Sequence, residues 1–184
     1  ARLLFSLDDG SLLVYGDTRT LGAAYALPAG ERWRLHGLNE MGPEPLSADF
    51  TTAYLQQAIL RRRTPIKTLL LNQQVIGGIG NIYADEALFL AGIHPQRPSA
   101  SLSNAECQRL WTAVNQVIAA GIEDGGTTFR DYKNGEGKQG HHQEHLQVYN
   151  RKGEPCRICG TPIEKITVGG RGTHFCPHCQ EAHS

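Results

Sequence analysis

The chain has 184 residues, and its 18 Lys and Arg residues balance its 18 Asp and Glu residues. This length accommodates one compact domain or two small ones. No apolar run approaches the ~20 residues of a membrane span, and the amino-terminal residues lack the form of a signal peptide, so we expect a cytoplasmic protein that is neither secreted nor bound to a membrane.

The first predicted elements are two short strands. Residues 2–7 and 11–15 are rich in apolar side chains, and the segment Asp8-Asp9-Gly10 between them is typical of a tight β-hairpin turn. Because an isolated hairpin is marginally stable in water, we expect the strands to belong to a larger sheet whose remainder is missing from this chain or supplied by another.

From residue 49 onward the apolar pattern becomes helical. Between residues 50 and 84 every charged side chain is basic. The four cations are Arg61, Arg62, Arg63 and Lys67. Such a stripe favours contact with phosphate, although cations at the end of a helix also offset the helix dipole.

A glycine-rich turn, residues 75–83, leads directly into a helix. Glycine lets the backbone approach a ligand, and a helix N-terminus favours an anion, so the turn can hold phosphate; a turn that only reverses the chain is the alternative. A capping box of Ser103 and Glu106 begins the next helix, whose apolar face contains Cys107. We predict that Cys107 is a core residue. The stripe, the turn and the two helices resemble a helix-two-turns-helix DNA-binding element.

Three histidines, His141, His142 and His145, follow at a spacing that imitates a metal site. They stand in a loop rich in Gly, Lys and Gln that enters a predicted strand. We therefore interpret them as loop residues rather than as metal ligands.

Two Cys-x-x-Cys pairs near the carboxy terminus predict a metal site. Cys156 and Cys159 form the first pair, and Cys176 and Cys179 form the second, with sixteen residues between the pairs. Each pair directs two sulfurs at one ion, and two pairs complete a tetrahedron of thiolates. We predict one structural zinc ion; iron uses the same ligands, and disulfides are disfavoured because nothing indicates secretion.

The chain resembles the bacterial formamidopyrimidine-DNA glycosylase family in three segments. They are residues 72–95, with the core GGIGNIYADEALFLAGIHP, residues 148–156 and residues 169–173. The resemblance covers nearly the whole chain and implies an α+β fold. The implied regions are the end of an amino-terminal β-sandwich with a linker (1–46), a helical helix-two-turns-helix domain with a lesion-capping loop (47–145) and a four-cysteine zinc finger (146–184).

The resemblance implies base-excision repair by a bifunctional DNA glycosylase and AP lyase. Such an enzyme binds double-stranded DNA with oxidised bases or abasic sites, excises 8-oxoguanine and formamidopyrimidines, and cleaves the abasic strand by β,δ-elimination. It is expected to be a monomer associated with the bacterial nucleoid. Alternatives are an endonuclease VIII-like glycosylase for oxidised pyrimidines, a non-catalytic zinc-dependent DNA-binding module, and a zinc-ribbon adaptor for proteins. The adaptor is disfavoured because it has no need of arginines that contact phosphate.

The resemblance also implies roles for single residues. Arg171 matches an arginine at the tip of the zinc hairpin that contacts phosphates and assists elimination, and Asn81 matches a phosphate clamp. Arg19 matches the residue that reads the orphaned base, while Thr20 and Leu21 replace a second arginine and an aromatic wedge. The implied phosphate contacts of the basic stripe are Arg61, Arg62, Arg63 and Lys67. Residues 125–132 resemble the loop that caps an extruded base.

The largest departure from the family lies at the amino terminus. Family members begin with a proline whose amine attacks the sugar and a glutamate that follows it, whereas this chain begins with Ala1 and Arg2. Pro43 and Pro45 are internal and have no N–H with which to form a Schiff base. We therefore expect a carboxy-terminal portion of the enzyme that is inactive by itself.

Overall fold

The computed structural model describes residues 3–17, 22–31, 37, 39–60, 62–129 and 137–181. The chain forms two compact units, Ala1–Asn39 and Glu40–Ser184. Among the described residues, no helix combines the length and the apolar character needed to span a bilayer. The predicted Arg19, Thr20, Leu21 and Arg61, and residues 130–132 of the predicted capping loop, lie outside the described residues.

The first unit contains the predicted β-hairpin. Strand β1 (Leu3–Ser6) pairs antiparallel with β2 (Leu12–Tyr15). The turn closes through a hydrogen bond of 3.1 Å from the Gly10 amide to the Leu7 carbonyl. Apolar side chains are exposed along both strands: Leu3, Leu4, Phe5, Leu7, Leu12, Leu13 and Val14. The prediction of a hairpin is confirmed. Exposed apolar side chains of this kind are typical of strands that pack against another layer of structure.

In the described part of the second unit, four helices surround a hydrophobic core. They are α1 (Thr52–Ile59), α2 (Ile66–Leu70), α3 (Asn81–Ala91) and α4 (Asn104–Glu123). The residues of the core that are fully buried include Leu55, Ile66, Leu70, Ile76, Leu88, Ile93 and Leu110. This core fixes the N-terminus of α3 and the C-terminus of α4, the two helix ends that position the candidate sites.

Helix α4 begins at the predicted capping box. The Ser103 hydroxyl accepts a bond from the Glu106 amide, and the Glu106 carboxylate accepts one from the Ser103 amide. Glu106 also forms an ion pair with Arg97, and the hydrogen bond from this guanidinium lowers the pKa of the carboxyl to about 2. Cys107 is 1% exposed, so its prediction as a core residue is confirmed.

The carboxy-terminal segment forms a second hairpin. Strands β3 (Glu164–Val168) and β4 (Arg171–Phe175) pair antiparallel, with Val168 opposite Arg171. The two turn residues, Gly169 and Gly170, have φ angles of 56° and 77°. A two-residue turn with positive φ at both positions matches the twist of the strands and favours glycine. The hairpin thereby presents Arg171 as the first residue of β4.

Candidate zinc centre and nucleic-acid interface

Four cysteine side chains meet at the open end of the β3–β4 hairpin, and their sulfur atoms lie within 4.8 Å of one another. The Sγ–Sγ distances are 3.9 Å for Cys156 and Cys179, 3.4 Å for Cys159 and Cys176, and 3.5 Å for Cys159 and Cys179. Four thiolates about 2.3 Å from a zinc ion stand about 3.8 Å apart in a tetrahedron. The sulfurs therefore fit one zinc ion, as the sequence spacing predicts.

The ionisation of the sulfurs also suits a cation. Hydrogen bonds from Thr161 lower the pKa of Cys159 to about 6, so this thiol ionises readily near neutral pH. Burial raises the pKa of Cys176 and that of Cys179. A divalent cation offsets the cost of ionising thiols that are crowded together. Because four thiolates leave no open coordination position, the zinc centre is structural.

Helix α3 anchors the zinc finger through two buried carboxylates. Glu86 accepts hydrogen bonds from the amides of Gln147, Val148 and Tyr149 at 2.8–3.0 Å. Burial raises the pKa of Glu86, and the three amides oppose that rise. Asp85, which is 1% exposed, accepts a bond of 2.8 Å from the His174 amide on β4. Our sequence interpretation assigned no role to either carboxylate, although acidic side chains in an apolar helix signal buried partners.

Lys67 forms the centre of the junction between the helices and the zinc hairpin. Its ammonium is fully buried, pairs with the Asp85 carboxylate at 2.6 Å, and donates to the Gly172 carbonyl at 3.0 Å and to the Thr173 hydroxyl at 2.8 Å. Burial lowers the pKa of Lys67, and Asp85 opposes that shift. The ammonium is enclosed by protein, so the predicted direct contact with phosphate is replaced by a bond to the hairpin.

Asn81, at the first position of α3, supports the same carbonyl. Its side-chain amide donates to the Gly172 oxygen at 3.0 Å. The first three amides of a helix have no partner within the helix, and the glycine that precedes α3 provides no side-chain cap. Two buried side-chain oxygens nearby, those of Thr68 and Asn81, also lack hydrogen-bond partners among the described residues. The backbone amides of this helix end can therefore donate to an anion, while the Asn81 oxygen can accept a hydrogen bond from a donor group.

Arg171 lies exposed beside this junction. Its charge contributes to the lowered pKa of Lys67, after the larger effect of burial, so the two cations are neighbours. The adjoining turn packs closely on α2, because a Cβ atom at Gly169 would stand 2.7 Å from the Thr68 hydroxyl. The backbone on both sides of Arg171 is thus fixed while its guanidinium faces solvent.

Two cations of the basic stripe lie on the surface. Arg62 and Arg63 are exposed in the loop between α1 and α2. The Arg62 backbone is held there, since its carbonyl accepts a bond of 2.9 Å from the Ala100 amide. The two exposed side chains are therefore accessible to phosphate, whereas the ammonium of Lys67 is buried. Their contact with phosphate stays a prediction.

An open cavity of about 470 Å³ adjoins the glycine-rich turn. Its lining combines that turn, the face of α4 and the beginning of the predicted capping loop: Gly78, Tyr83, Ile118, Gly121, Ile122, Gly125 and Gly126. The Tyr83 and Thr127 hydroxyls lie 3.4 Å apart and join α3 to the loop. The lining of the cavity is mostly apolar, as in many ligand sites.

Residues 41–133 match the formamidopyrimidine-DNA glycosylase H2TH domain, and residues 153–182 match the zinc finger found in FPG and IleRS. The chain is 49% identical to formamidopyrimidine-DNA glycosylase of Symbiobacterium thermophilum over 178 residues, which are 97% of this chain and 58% of that relative. The chain thus spans about three fifths of the length of this curated relative.

Solved structures show the same similarity. The crystal structure of the MutM (Fpg) protein from Thermus thermophilus matches with a TM-score of 0.75 and 45% identity, over 80% of this chain and 56% of that chain. The Lactococcus lactis Fpg, in a complex with DNA containing an abasic site, matches with a TM-score of 0.74 and 39% identity, over 79% of this chain and 53% of that chain.

The fold and the four-cysteine centre define a helix-two-turns-helix protein with a zinc finger. The helix-two-turns-helix match alone covers about half of the sequence. The chain belongs to the formamidopyrimidine-DNA glycosylase family. The domain limits predicted at residues 46 and 145 stay predictions.

Proposed function

We propose that the chain binds double-stranded DNA at oxidised bases or abasic sites. The observation that carries this proposal is the placement of Arg171: the next carbonyl, of Gly172, is held at 3.0 Å by both Lys67 and Asn81. A guanidinium on a fixed backbone can offer phosphate a bidentate contact with little loss of freedom. Arg62, Arg63 and the N-terminus of α3 supply further phosphate contacts in this proposal.

The proposal extends to the chemistry of base excision. In it the chain is part of an enzyme that removes oxidised purines, 8-oxoguanine and formamidopyrimidines, and then cleaves the abasic strand by β,δ-elimination with help from Arg171. Family membership and the cavity beside Tyr83 support this extension. A base reaches an enzyme pocket only after extrusion from the duplex, and the cavity borders Gly125 and Gly126, the first residues of the predicted capping loop.

We expect Arg171→Ala to weaken binding to duplex DNA regardless of sequence. If the guanidinium contacts phosphate, the slope of log K against log salt concentration should decrease by about one unit. Arg171→Lys should restore part of the affinity because it keeps the charge but loses the planar fork. Fluorescence anisotropy over a series of salt concentrations measures both quantities.

Arg157→Ala is the matched control, since Arg157 is an exposed arginine within the zinc finger but away from the hairpin tip. It should leave the salt slope unchanged. Equal affinities and slopes for Arg171→Ala and the parent chain would exclude Arg171 from the interface.

The expectation that this chain is inactive by itself is tested by borohydride trapping on a duplex with an abasic site. We expect this chain to bind the duplex more tightly than undamaged DNA but to form no covalent adduct, because the prolines of the described residues are internal and have no N–H. An adduct would identify an amine of this chain as the nucleophile and would overturn the expectation of inactivity.

A further inference from the structure

A second cluster of metal-ligand type lies apart from the cysteines, where helix α4 ends. It consists of Asp124, His142 and His145, whose ligand atoms lie within 4.8 Å of one another. One carboxylate oxygen, Oδ2 of Asp124, stands 2.8 Å from Nδ1 of His142 and 2.8 Å from Nδ1 of His145. The sequence interpretation assigned the histidines to a loop rich in Gly, Lys and Gln, and the fold adds Asp124, which lies eighteen residues before His142.

Local backbone structure explains why the three side chains meet. Residues His142–Glu144 form a short 3₁₀ turn that His145 terminates. Side chains three residues apart on a 3₁₀ turn are eclipsed, so both imidazoles fall on one side. Bonds from the His141 amide to the Asp124 carbonyl, at 3.0 Å, and from the His142 amide to the Gly126 carbonyl, at 3.1 Å, fix the turn against the end of α4.

The site is held on its inner side and open on its outer side. His142 has a 7% exposed side chain and stacks on Tyr83 of α3 with ring centroids 5.4 Å apart. The side chain of His145 is 62% exposed, and that of Asp124 is 21% exposed. An ion can therefore approach from solvent and meet a ligand that is already oriented, and water can fill its remaining coordination positions.

The charge around the cluster favours a cation. Asp124 is the C-cap of α4, where the helix dipole adds negative potential to the carboxylate, and the last turn of the helix has no basic residue. Glu123 and Glu144 add further negative charge nearby. His141, which faces Glu144 at 3.7 Å, lies outside the cluster.

We propose that Asp124, His142 and His145 bind a divalent transition-metal ion, with Zn²⁺ as the natural occupant and Ni²⁺ as an alternative probe. Two imidazoles and one carboxylate are the ligand types that these borderline ions prefer. Ligands about 2.1 Å from zinc stand about 3.4 Å apart in a tetrahedron, so each of the two separations of 2.8 Å must lengthen by roughly 0.6 Å to admit the ion, a shift that the partly exposed Asp124 and the exposed His145 can make.

The bound ion would join the end of α4 to the 3₁₀ turn. Hydrogen bonds beside the cluster already hold this region together, since the Gly140 amide donates to the Thr128 hydroxyl at 2.9 Å and the Thr128 amide donates to the Gln143 side chain at 2.9 Å. The metal site itself does not depend on the proposed action on DNA.

Metal titration of the protein with its structural zinc in place tests the proposal. Isothermal calorimetry with ZnCl₂, and separately with NiCl₂, should show one further equivalent. His145→Ala and Asp124→Asn should each lower its affinity by about tenfold or more, the range reached even when an outer-shell partner is lost. His141→Ala is the matched control, an exposed neighbouring histidine that should leave the second equivalent unchanged. Unaltered stoichiometry and affinity in His145→Ala would overturn the proposal.

The histidine tautomers give a second readout that folding defects do not imitate. Without the ion, Nδ1–H of each neutral ring donates to Asp124; with the ion bound, Nδ1 provides its lone pair and the proton resides on Nε2. Long-range ¹H–¹⁵N spectra should show this change for His142 and His145 on addition of ZnCl₂. Retention of the Nδ1–H tautomer at saturating zinc would show that the cluster is only a hydrogen-bonded clamp.

Discussion

Cys159→Ser is expected to unfold the zinc finger while the four helices persist. The apolar cluster at the base of the finger is small: it combines Phe89 of α3 with Val148, Cys156, Ile163 and Cys176, and two of its members are zinc ligands themselves. Binding of structural zinc is worth about 10–16 kcal/mol in isolated zinc-finger peptides, so loss of one ligand removes most of the free energy that folds this segment. Amide hydrogen exchange should lose protection over residues 146–181 and retain it in α4.

Ile158→Ser is the matched control for this change. Ile158 stands between the first two cysteines but is 72% exposed, so its replacement alters neither the metal centre nor the core. It should preserve one bound zinc per chain and the amide protection of β3 and β4. A Cys159→Ser protein with stoichiometric zinc and a protected hairpin would show that the finger folds without the fourth thiolate.

Features encoded over a few residues could be predicted from the sequence. The Cys-x-x-Cys pairs, the capping box of Ser103 and Glu106, and the turn at Gly10 each depend on neighbours within four residues, and the structure contains all three. The basic stripe, the glycine-rich turn and the two helices together predict the helix-two-turns-helix domain, which the structure and the family match confirm. These signals are local because turn geometry, capping and metal-ligand spacing are themselves local.

The remaining features depend on contacts between distant segments. The sequence places Lys67 in a stripe of cations and predicts that it contacts phosphate. Its structural role is visible only in the fold, where Asp85 of α3 and Gly172 of β4 approach its ammonium. In the sequence, Asp124 is an ordinary carboxylate at the end of a helix. In the fold, the 3₁₀ turn places two imidazoles within hydrogen-bond distance of it. Charge type predicts that such residues have partners, but only the packing of the elements decides whether the partner is phosphate, a metal or another side chain.

Lys67→Met is expected to destabilise the second unit by about 3–5 kcal/mol, because it leaves the Asp85 carboxylate buried without its cation. Both side chains of the pair are fully buried, so solvent does not replace the lost partner. Chemical denaturation of Lys67→Met and of the parent chain measures the deficit.

The double variant Lys67→Met/Asp85→Leu separates the two roles of the pair. Removing both charges should recover much of the stability, since apolar replacements often match a buried ion pair. DNA binding should recover less, because the Gly172 carbonyl beside Arg171 loses its ammonium donor and keeps only Asn81. Lys152→Met, at an exposed lysine, should leave the stability unchanged. If the double variant binds DNA with the parent's affinity and salt slope, the ion pair supports the fold alone, and the position of Arg171 is set by the zinc hairpin itself.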